Sequence, residues 1–167
     1  MTAETTNNSV NRTIVSEFVN AVKKVIHIAA ADEILEYSTL HNKSEELPGD
    51  VSATIELTGD LRGQVAVSLP FKYAQLITSK ILSCTEAEVA DDEVREGMGE
   101  IVNQITGKVR TDLWNYGYRF NISTPTIVNK SIAQIEPNSV FPHYVIVFRS
   151  KQAEFSLQVN VYEANLI

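Results

Sequence analysis

Residues 90–117 carry the longest run of helical periodicity in the sequence, and a helix of this length needs a large surface to pack against. Its apolar residues recur every three or four positions and therefore share one face of an α-helix. They are Val94, Met98, Ile101, Ile105, Val109 and Leu113. The acidic residues 91–93 complement the positive end of the helix dipole, and Gly117 is placed to end the helix. We expect a long helix that packs this face against a sheet.

The opposite face of this helix is polar. At the same three- and four-residue steps it carries Glu93, Glu96, Glu100, Asn103, Gly107 and Thr111. Glu100 and Asn103 place a carboxylate and an amide one turn apart, and Gly107 leaves the backbone bare beyond them. Gly97, Gly99 and Gly107 each cost about 1 kcal/mol in a helix interior, so close packing or a partner's approach should offset that cost. For Gly107 we favour the approach of a partner.

Hydrophobic period and turn residues predict the other elements of the chain. In order they are a helix over 13–31, a connection over 38–50, a hairpin over 51–69, a helix over 71–83, the long helix, a strand over 124–128 and a second hairpin over 144–163. This order favours one α/β domain of layered architecture, in which a largely antiparallel sheet packs with long helices.

Composition limits the possible functions. The 167 residues are 44% hydrophobic, which suffices for one domain and is short for two. We place this domain at residues 12–167 and predict a disordered tail over residues 1–11, which are rich in Thr, Asn and Ser. The net charge of -7 provides no basic surface for a nucleic-acid backbone. A protein partner or a small ligand is therefore favoured.

The cysteine and histidine residues indicate where in the cell the protein is expected and whether it is expected to bind a metal. Cys84 is the only cysteine, so no intrachain disulfide can form, and a cytoplasmic location fits better than a secreted one. The sequence has no apolar stretch of membrane-spanning length, so we expect no membrane association. The histidines show no ligand spacing, and we expect no metal bound by this chain. They are His27, His41 and His143.

The pattern Glu-x-x-Asn is weak evidence by itself, because it occurs three times. The pairs are Glu4/Asn7, Glu17/Asn20 and Glu100/Asn103. The first lies in the predicted tail. In the second, Lys24 occupies the position at which Gly107 follows the third pair, so we interpret it as a solvated helix face. A remnant of a second site is the alternative interpretation.

Three separate segments make the third pair specific. The long helix contains Gly99, Glu100, Asn103 and Gly107; the first hairpin contains Thr58, Gly59 and Gly63; and the strand after the helix contains Thr124, Pro125, Thr126 and Val128. In this order they resemble the CheX branch of the CheC/CheX/FliY chemotaxis phosphatases, whose strand motif has a second proline where Thr126 stands. The resemblance covers roughly residues 12–162, and the single convincing copy of the helix motif implies the one-site CheX type.

This resemblance implies a CheC-like fold and removal of the phosphoryl group from the aspartyl phosphate of a CheY-like response regulator. Asn103 would orient the attacking water, and Glu100 would pair with a lysine of the receiver domain. No cofactor is expected on this chain, because the receiver carries the Mg²⁺ ion. The family is known for homodimers, so a homodimer is implied as well. The residues expected to contact the partner are Glu96, Gly99, Gln104 and Gly107.

Other interpretations remain open at this point. Glu96 and Gln104 are equally compatible with ordinary solvated positions on a helix. The exposed helix would also suit a non-catalytic adaptor that docks a receiver without accelerating hydrolysis. A small-molecule hydrolase with Glu100 as general base is less supported, since no nucleophile elbow, metal cluster or phosphate-binding loop accompanies that carboxylate.

Overall fold

The computed structural model describes residues 3–40, 47–130 and 144–166. In chain order the described elements are α1 (Ala3–Ala30), β1 (Ile34–Leu40), β2 (Val51–Gly59), β3 (Leu61–Leu69), α2 (Phe71–Leu82), α3 (Asp91–Trp114), β4 (Phe120–Ile122), β5 (Thr126–Val128), β6 (Tyr144–Ser150) and β7 (Glu154–Glu163), with short 3-10 turns at Glu86–Glu88 and Ala164–Leu166. The three predicted helices and both predicted hairpins are confirmed.

All described strands belong to one antiparallel sheet. The order across it is β1-β6-β7-β3-β2-β4, and β5 also pairs with β2. Alternate residues of the central strands point to the helices and are buried, as the two-residue period of a strand requires. In β2 and β3 these are Val51, Ala53, Ile55, Leu57, Leu61, Val65, Val67 and Leu69. The predicted α/β class with an antiparallel sheet is therefore confirmed.

The long helix α3 lies at the centre of the helical layer. It contacts α1, α2 and β2, and each apolar residue of its predicted stripe is buried. Its contact with α2 explains Gly97, because a Cβ atom there would lie 2.1 Å from Oγ1 of Thr78. Close packing therefore accounts for this glycine. The helix ends at Trp114, and Gly117, with a φ of +93°, lies in the turn that follows.

Strand β1 was not predicted. It begins at Ile34 and continues to Leu40, so the connection predicted from residue 38 starts too early. Among the described strands β1 lies at the edge of the sheet and pairs only with β6, and Leu35 and Tyr37 are both exposed. Its residues therefore show no alternation of buried and exposed positions. Within the predicted connection, residues 41–46 lie outside the described residues, as do His41 and His143.

The first helix begins at Ala3, so the boundary predicted at residue 12 is not marked by a break in the helix. No proline or glycine interrupts residues 3–11. The division into a tail and a domain stays a prediction. Within the described part of the chain, no helix combines the length and the apolarity needed to cross a bilayer.

A buried carboxylate ties the end of α1 to α2. Asp32 accepts a hydrogen bond of 2.6 Å from the Tyr73 hydroxyl and one of 2.8 Å from the backbone N–H of Glu33. Burial opposes its ionisation, but these bonds, together with those from Ser150 and the Lys151 backbone, hold the pKa of Asp32 below its ordinary value. The ionised side chain therefore holds the segment between α1 and β1 against α2.

Candidate active site

Glu100 and Asn103 lie on the side of α3 that faces away from the core. Glu100 is exposed and Asn103 is half-buried, whereas Ile101, Val102 and Ile105 are buried. The helical period separates the two sets, because residues three apart share a face and their immediate neighbours do not. The carboxylate and the amide are thus presented together at the surface, as the spacing predicts.

A shallow groove of about 410 Å³ runs beside this pair. One side is α3 and the other is the segment that leads into β5. The residues along it include Arg95, Glu96, Gly99, Glu100, Asn103, Pro125 and Ile127. The strand segment reaches the helix because β5 pairs with β2, on which α3 packs. The fold therefore brings the helix motif and the strand motif of the sequence to one place.

The Glu100 carboxylate accepts a hydrogen bond within the protein, whereas the Asn103 amide does not take part in one among the described residues. The Gln104 amide donates to a carboxylate oxygen of Glu100 at 2.8 Å, so Gln104 orients that carboxylate. Among the described residues, none holds the Asn103 amide in a hydrogen bond. An amide has donors and an acceptor, and here all of them are available to a water molecule or a partner. Sequence spacing did not predict the bond between Gln104 and Glu100, although such pairs are common four residues apart.

The other predicted contact residues differ in accessibility. Glu96 is exposed on the groove rim, where its neighbour Arg95 forms an ion pair of 2.8 Å with Asp92. Gly99 is buried, and a Cβ there would lie 3.7 Å from Pro125 and from Ile127, which is ordinary contact. A partner can therefore reach Gly99 only through the groove.

Gly107 is the open position on this face. A Cβ atom added there would meet nothing within 4 Å, so close packing within the described structure does not explain this glycine. It is half-buried and lies one turn beyond Asn103. Of the two explanations drawn from the sequence, the approach of a partner is the one that fits this position.

Comparison with known proteins decides the family. The family model described as "Chemotaxis phosphatase CheX" matches residues 51–149, which is more than half of the chain. The chain belongs to the CheX family. The matched range contains the first hairpin, α2, the whole of α3, strands β4 and β5, and β6 except its last residue.

Individual relatives agree with the CheX assignment. The CheY-P phosphatase CheX of Thermotoga maritima is 25% identical over 116 residues, which cover 70% of this chain and 74% of that protein. The structure of chemotaxis protein CheX from Vibrio vulnificus matches with a TM-score of 0.80 at 23% identity, covering 90% of this chain and 99% of that one. CheX in the CheX–CheY–BeF3–Mg²⁺ complex of Borrelia burgdorferi matches with a TM-score of 0.71 at 20% identity, covering 89% and 97%. These structures share the fold.

The hairpin glycines of the CheX-like pattern serve the sheet. Gly59 and Gly63 have φ values of +129° and +133°. A Cβ atom would lie 2.6 Å from the Arg119 carbonyl oxygen at the first and 1.9 Å from that of Asn160 at the second. These glycines allow β4 and β7 to approach closely, and neither lines the groove beside Asn103. The pattern thus combines structural positions with the candidate active site.

The pair Glu17/Asn20 lies in a different setting on α1. Glu17 is half-buried and accepts a hydrogen bond of 3.5 Å from the Tyr116 hydroxyl, while Asn20 and Lys24 are exposed. This contact is long and open to solvent, so it restrains the Glu17 carboxylate only weakly. No group of three or more His, Cys, Asp or Glu side chains suited to a metal ion occurs among the residues that the structure describes.

Proposed function

We propose that this chain hydrolyses the aspartyl phosphate of a phosphorylated CheY-like response regulator. One observation carries this proposal: an uncommitted amide, Asn103, lies one turn from an oriented carboxylate, Glu100, on an exposed helix beside an open groove. The CheX family and the Thermotoga maritima CheY-P phosphatase support the substrate. The structure with a CheY, BeF3 and Mg²⁺ from Borrelia burgdorferi supports a receiver domain as the partner.

In this mechanism Asn103 positions water. The water oxygen attacks phosphorus in line with the bond to the aspartate oxygen; that bond breaks, and inorganic phosphate and a free carboxylate result. Such reactions are governed by positioning and by stabilisation of charge, and a carboxamide can orient water without changing its own charge. The receiver supplies the Mg²⁺ ion, so this chain contributes geometry.

Glu100 has a separate role in the proposal. Its carboxylate would pair with a lysine of the receiver and so fix the register that puts Asn103 over the phosphorus. The hydrogen bond from Gln104 already restrains the Glu100 side chain in the free protein. Glu100 therefore loses less conformational entropy when the receiver binds. Glu96 would contact the receiver at the rim, and the bare backbone at Gly107 would let the receiver lie close to α3.

Location and assembly follow from likeness to the family. We place the protein in the cytoplasm, where CheY-like receivers act, and we propose a homodimer. The exposed side chains of Leu35 and Tyr37 on the edge strand β1 offer apolar surface for such an interface. Light scattering coupled to gel filtration measures the mass of the assembly, and a monomer at micromolar concentration would reject the dimer.

A phosphate-release assay tests the proposed activity. Candidate receivers are phosphorylated with a small-molecule donor and Mg²⁺, and loss of the aspartyl phosphate is followed with wild-type protein, with Asn103→Ala and without addition. We expect faster loss with the wild type alone. Asn20→Ala, which changes the corresponding residue of α1, is the matched control and should act like the wild type. Binding of the phosphorylated receiver without faster loss would instead indicate the non-catalytic adaptor.

A further inference from the structure

A second groove lies at the other end of α3. It has a volume of about 440 Å³ and is lined by Arg110, Thr111, Trp114, Asn115, Phe120 and Asn121. Trp114 is 56% exposed, which is unusual for the largest apolar side chain. Of the six lining residues that the structure describes, one is an arginine and none is a carboxylate. In a chain with a net charge of -7, this groove therefore places a positively charged side chain, and no carboxylate, beside an exposed aromatic ring.

The exposed tryptophan is held in place. The Arg119 guanidinium lies 3.4 Å from the centre of the Trp114 ring. The same guanidinium donates hydrogen bonds to the backbone carbonyls of Trp114 and Tyr118, at 2.9 and 3.0 Å. A ring fixed in this way loses little conformational entropy when a partner covers it. Tryptophan and arginine are also the residues most enriched among those that dominate binding energy at protein interfaces.

This groove lies on the same helix face as the candidate active site. Steps of four, three and four residues lead from Asn103 through Gly107 and Arg110 to Trp114. Eleven residues of α-helix span about 16 Å. A typical specific interface buries about 800 Å² on each partner, which as a disc has a radius of about 16 Å. A partner centred on Asn103 would thus reach Trp114 at its margin.

Charge indicates the direction in which the partner extends. The first turn of α3 is acidic, with Asp91, Asp92 and Glu93. A receiver carries a phosphoryl group and the carboxylates that hold its Mg²⁺ ion, so its active-site surface is acidic too. Like charges repel at the start of the helix. At the other end, Asp112 is paired with Lys108, and Arg110 on α3 and Arg119 just beyond it provide positive charge.

We propose that Arg110, Trp114 and Arg119, here named the Trp114 patch, form a second contact region for the phosphorylated receiver and bind an acidic surface next to its phosphoaspartate. This inference rests on the proposed function. The Trp114 patch lies too far from the phosphorus to act in the chemical step. It therefore sets affinity and the choice among receivers, and its loss raises KM while kcat stays unchanged.

The chain offers a direct probe, because Trp114 is its only tryptophan. Protein labelled with 5-fluorotryptophan gives a single fluorine resonance. We expect this resonance to shift, and to saturate, as a receiver activated with beryllium fluoride and Mg²⁺ is added, with a smaller response to the unactivated receiver. A resonance that stays in place while calorimetry shows binding would reject the Trp114 patch. A shift that depends on the chain's own concentration would assign this surface to a second copy and would also reject it.

Variants test the same inference through kinetics. Trp114→Ala and Arg110→Glu should each raise KM for the phosphorylated receiver by about tenfold with kcat within twofold of the wild type. Ile28→Ala, which truncates an exposed apolar residue on α1, is the matched control and should leave both constants unchanged. Circular dichroism and thermal unfolding verify that each variant folds. Unchanged KM in both patch variants would reject the inference.

Failure of this inference is separable from failure of the proposed function. Asn103→Ala should lose turnover but keep both the binding and the fluorine shift. If the wild type binds and dephosphorylates a receiver while the Trp114 resonance and the KM of the patch variants are unchanged, only the Trp114 patch is wrong. If no activated receiver is bound or dephosphorylated, both the function and the patch are rejected.

Discussion

The pairs Glu17/Asn20 of α1 and Glu100/Asn103 of α3 share one four-residue pattern, and the second pair lies beside the groove of the candidate active site. In both, a glutamate precedes an asparagine by three residues, but the neighbouring positions differ. Ser16 and Lys24 of α1 stand where α3 has Gly99 and Gly107. Ala21 stands where α3 has Gln104, and it is fully buried. On α1, therefore, the position next to the pair faces the core, and no side chain there can orient Glu17.

The surroundings widen this difference. Glu17 is half-buried, and the hydrogen bond that it accepts from the Tyr116 hydroxyl is long, at 3.5 Å, whereas Glu100 is exposed and accepts a bond of 2.8 Å from Gln104. Beside Asn103 the segment of Pro125 and Ile127 forms the far wall of a groove. A Glu-x-x-Asn pattern thus becomes a candidate site only when its neighbours orient the glutamate and provide a wall against which a partner can dock.

The largest difference between the helices is expected for the two asparagines. Asn103→Ala should lower kcat for dephosphorylation by about 100-fold or more, because a water that is no longer positioned rarely attacks in line. Asn20→Ala should leave kcat unchanged. Both constants come from phosphate release with one phosphorylated receiver, and thermal unfolding should show that neither variant is destabilised. Equal kcat for the two variants would remove the distinction between the helices.

The two glutamates give the next largest difference. Glu100→Ala should weaken binding of the activated receiver by about tenfold and lower turnover as well, since a charge-assisted contact that is desolvated in the complex is lost. Calorimetry measures the binding and phosphate release the turnover. Glu17→Ala is the control and should change neither. Wild-type binding and turnover by Glu100→Ala would contradict the role assigned to this carboxylate.

A smaller effect is expected where α1 has a lysine and α3 a glycine. Gly107→Lys should raise the dissociation constant for the activated receiver several-fold, because the side chain would occupy the surface on which the receiver lies. Gly107→Ala should instead stabilise the fold by about 0.5–1 kcal/mol, since its Cβ meets no neighbour. Lys24→Gly should leave receiver binding unchanged. Tight receiver binding by Gly107→Lys would show that the partner does not approach this part of α3.

Much of this contrast was predictable from the sequence, because it follows from local periodicity. The apolar stripe of α3 predicted which face is buried, and the three-residue spacing placed Glu100 beside Asn103 at the surface. The sequence alone also distinguished the two pairs, because Lys24 of α1 stands at the position that corresponds to Gly107 of α3. The antiparallel sheet followed from two predicted hairpins, the first with the turn residues Gly59 and Asp60 and the second with a short polar link.

Features that depend on contacts distant in sequence were not predictable. The groove wall at Pro125 forms because β5 pairs with β2, and that register is set by the sheet as a whole. Gly97 could have marked either packing or a site until Thr78 was seen against it. Strand β1 escaped prediction because an exposed edge strand buries too little to show an alternating pattern. Likewise, no local signal places Arg119 over Trp114.

The smallest effect on activity is expected for Asp32, just after α1, because this residue stabilises the fold and takes no part in the proposed reaction. The folded state holds the pKa of Asp32 below the ordinary value of 3.8, so its ionisation favours the folded state. That contribution is fully present above about pH 4 and is lost as the pH falls through the lower pKa of the folded protein. Asp32→Asn should therefore cost about 1–3 kcal/mol of unfolding free energy at pH 7 and less at pH 3. Urea unfolding at both pH values measures this. The kcat of Asp32→Asn at pH 7 should match that of the wild type, because Asp32 anchors the end of α1 while the proposed chemistry takes place on α3. An equal loss of unfolding free energy at both pH values would show that the charge of Asp32 contributes nothing to stability.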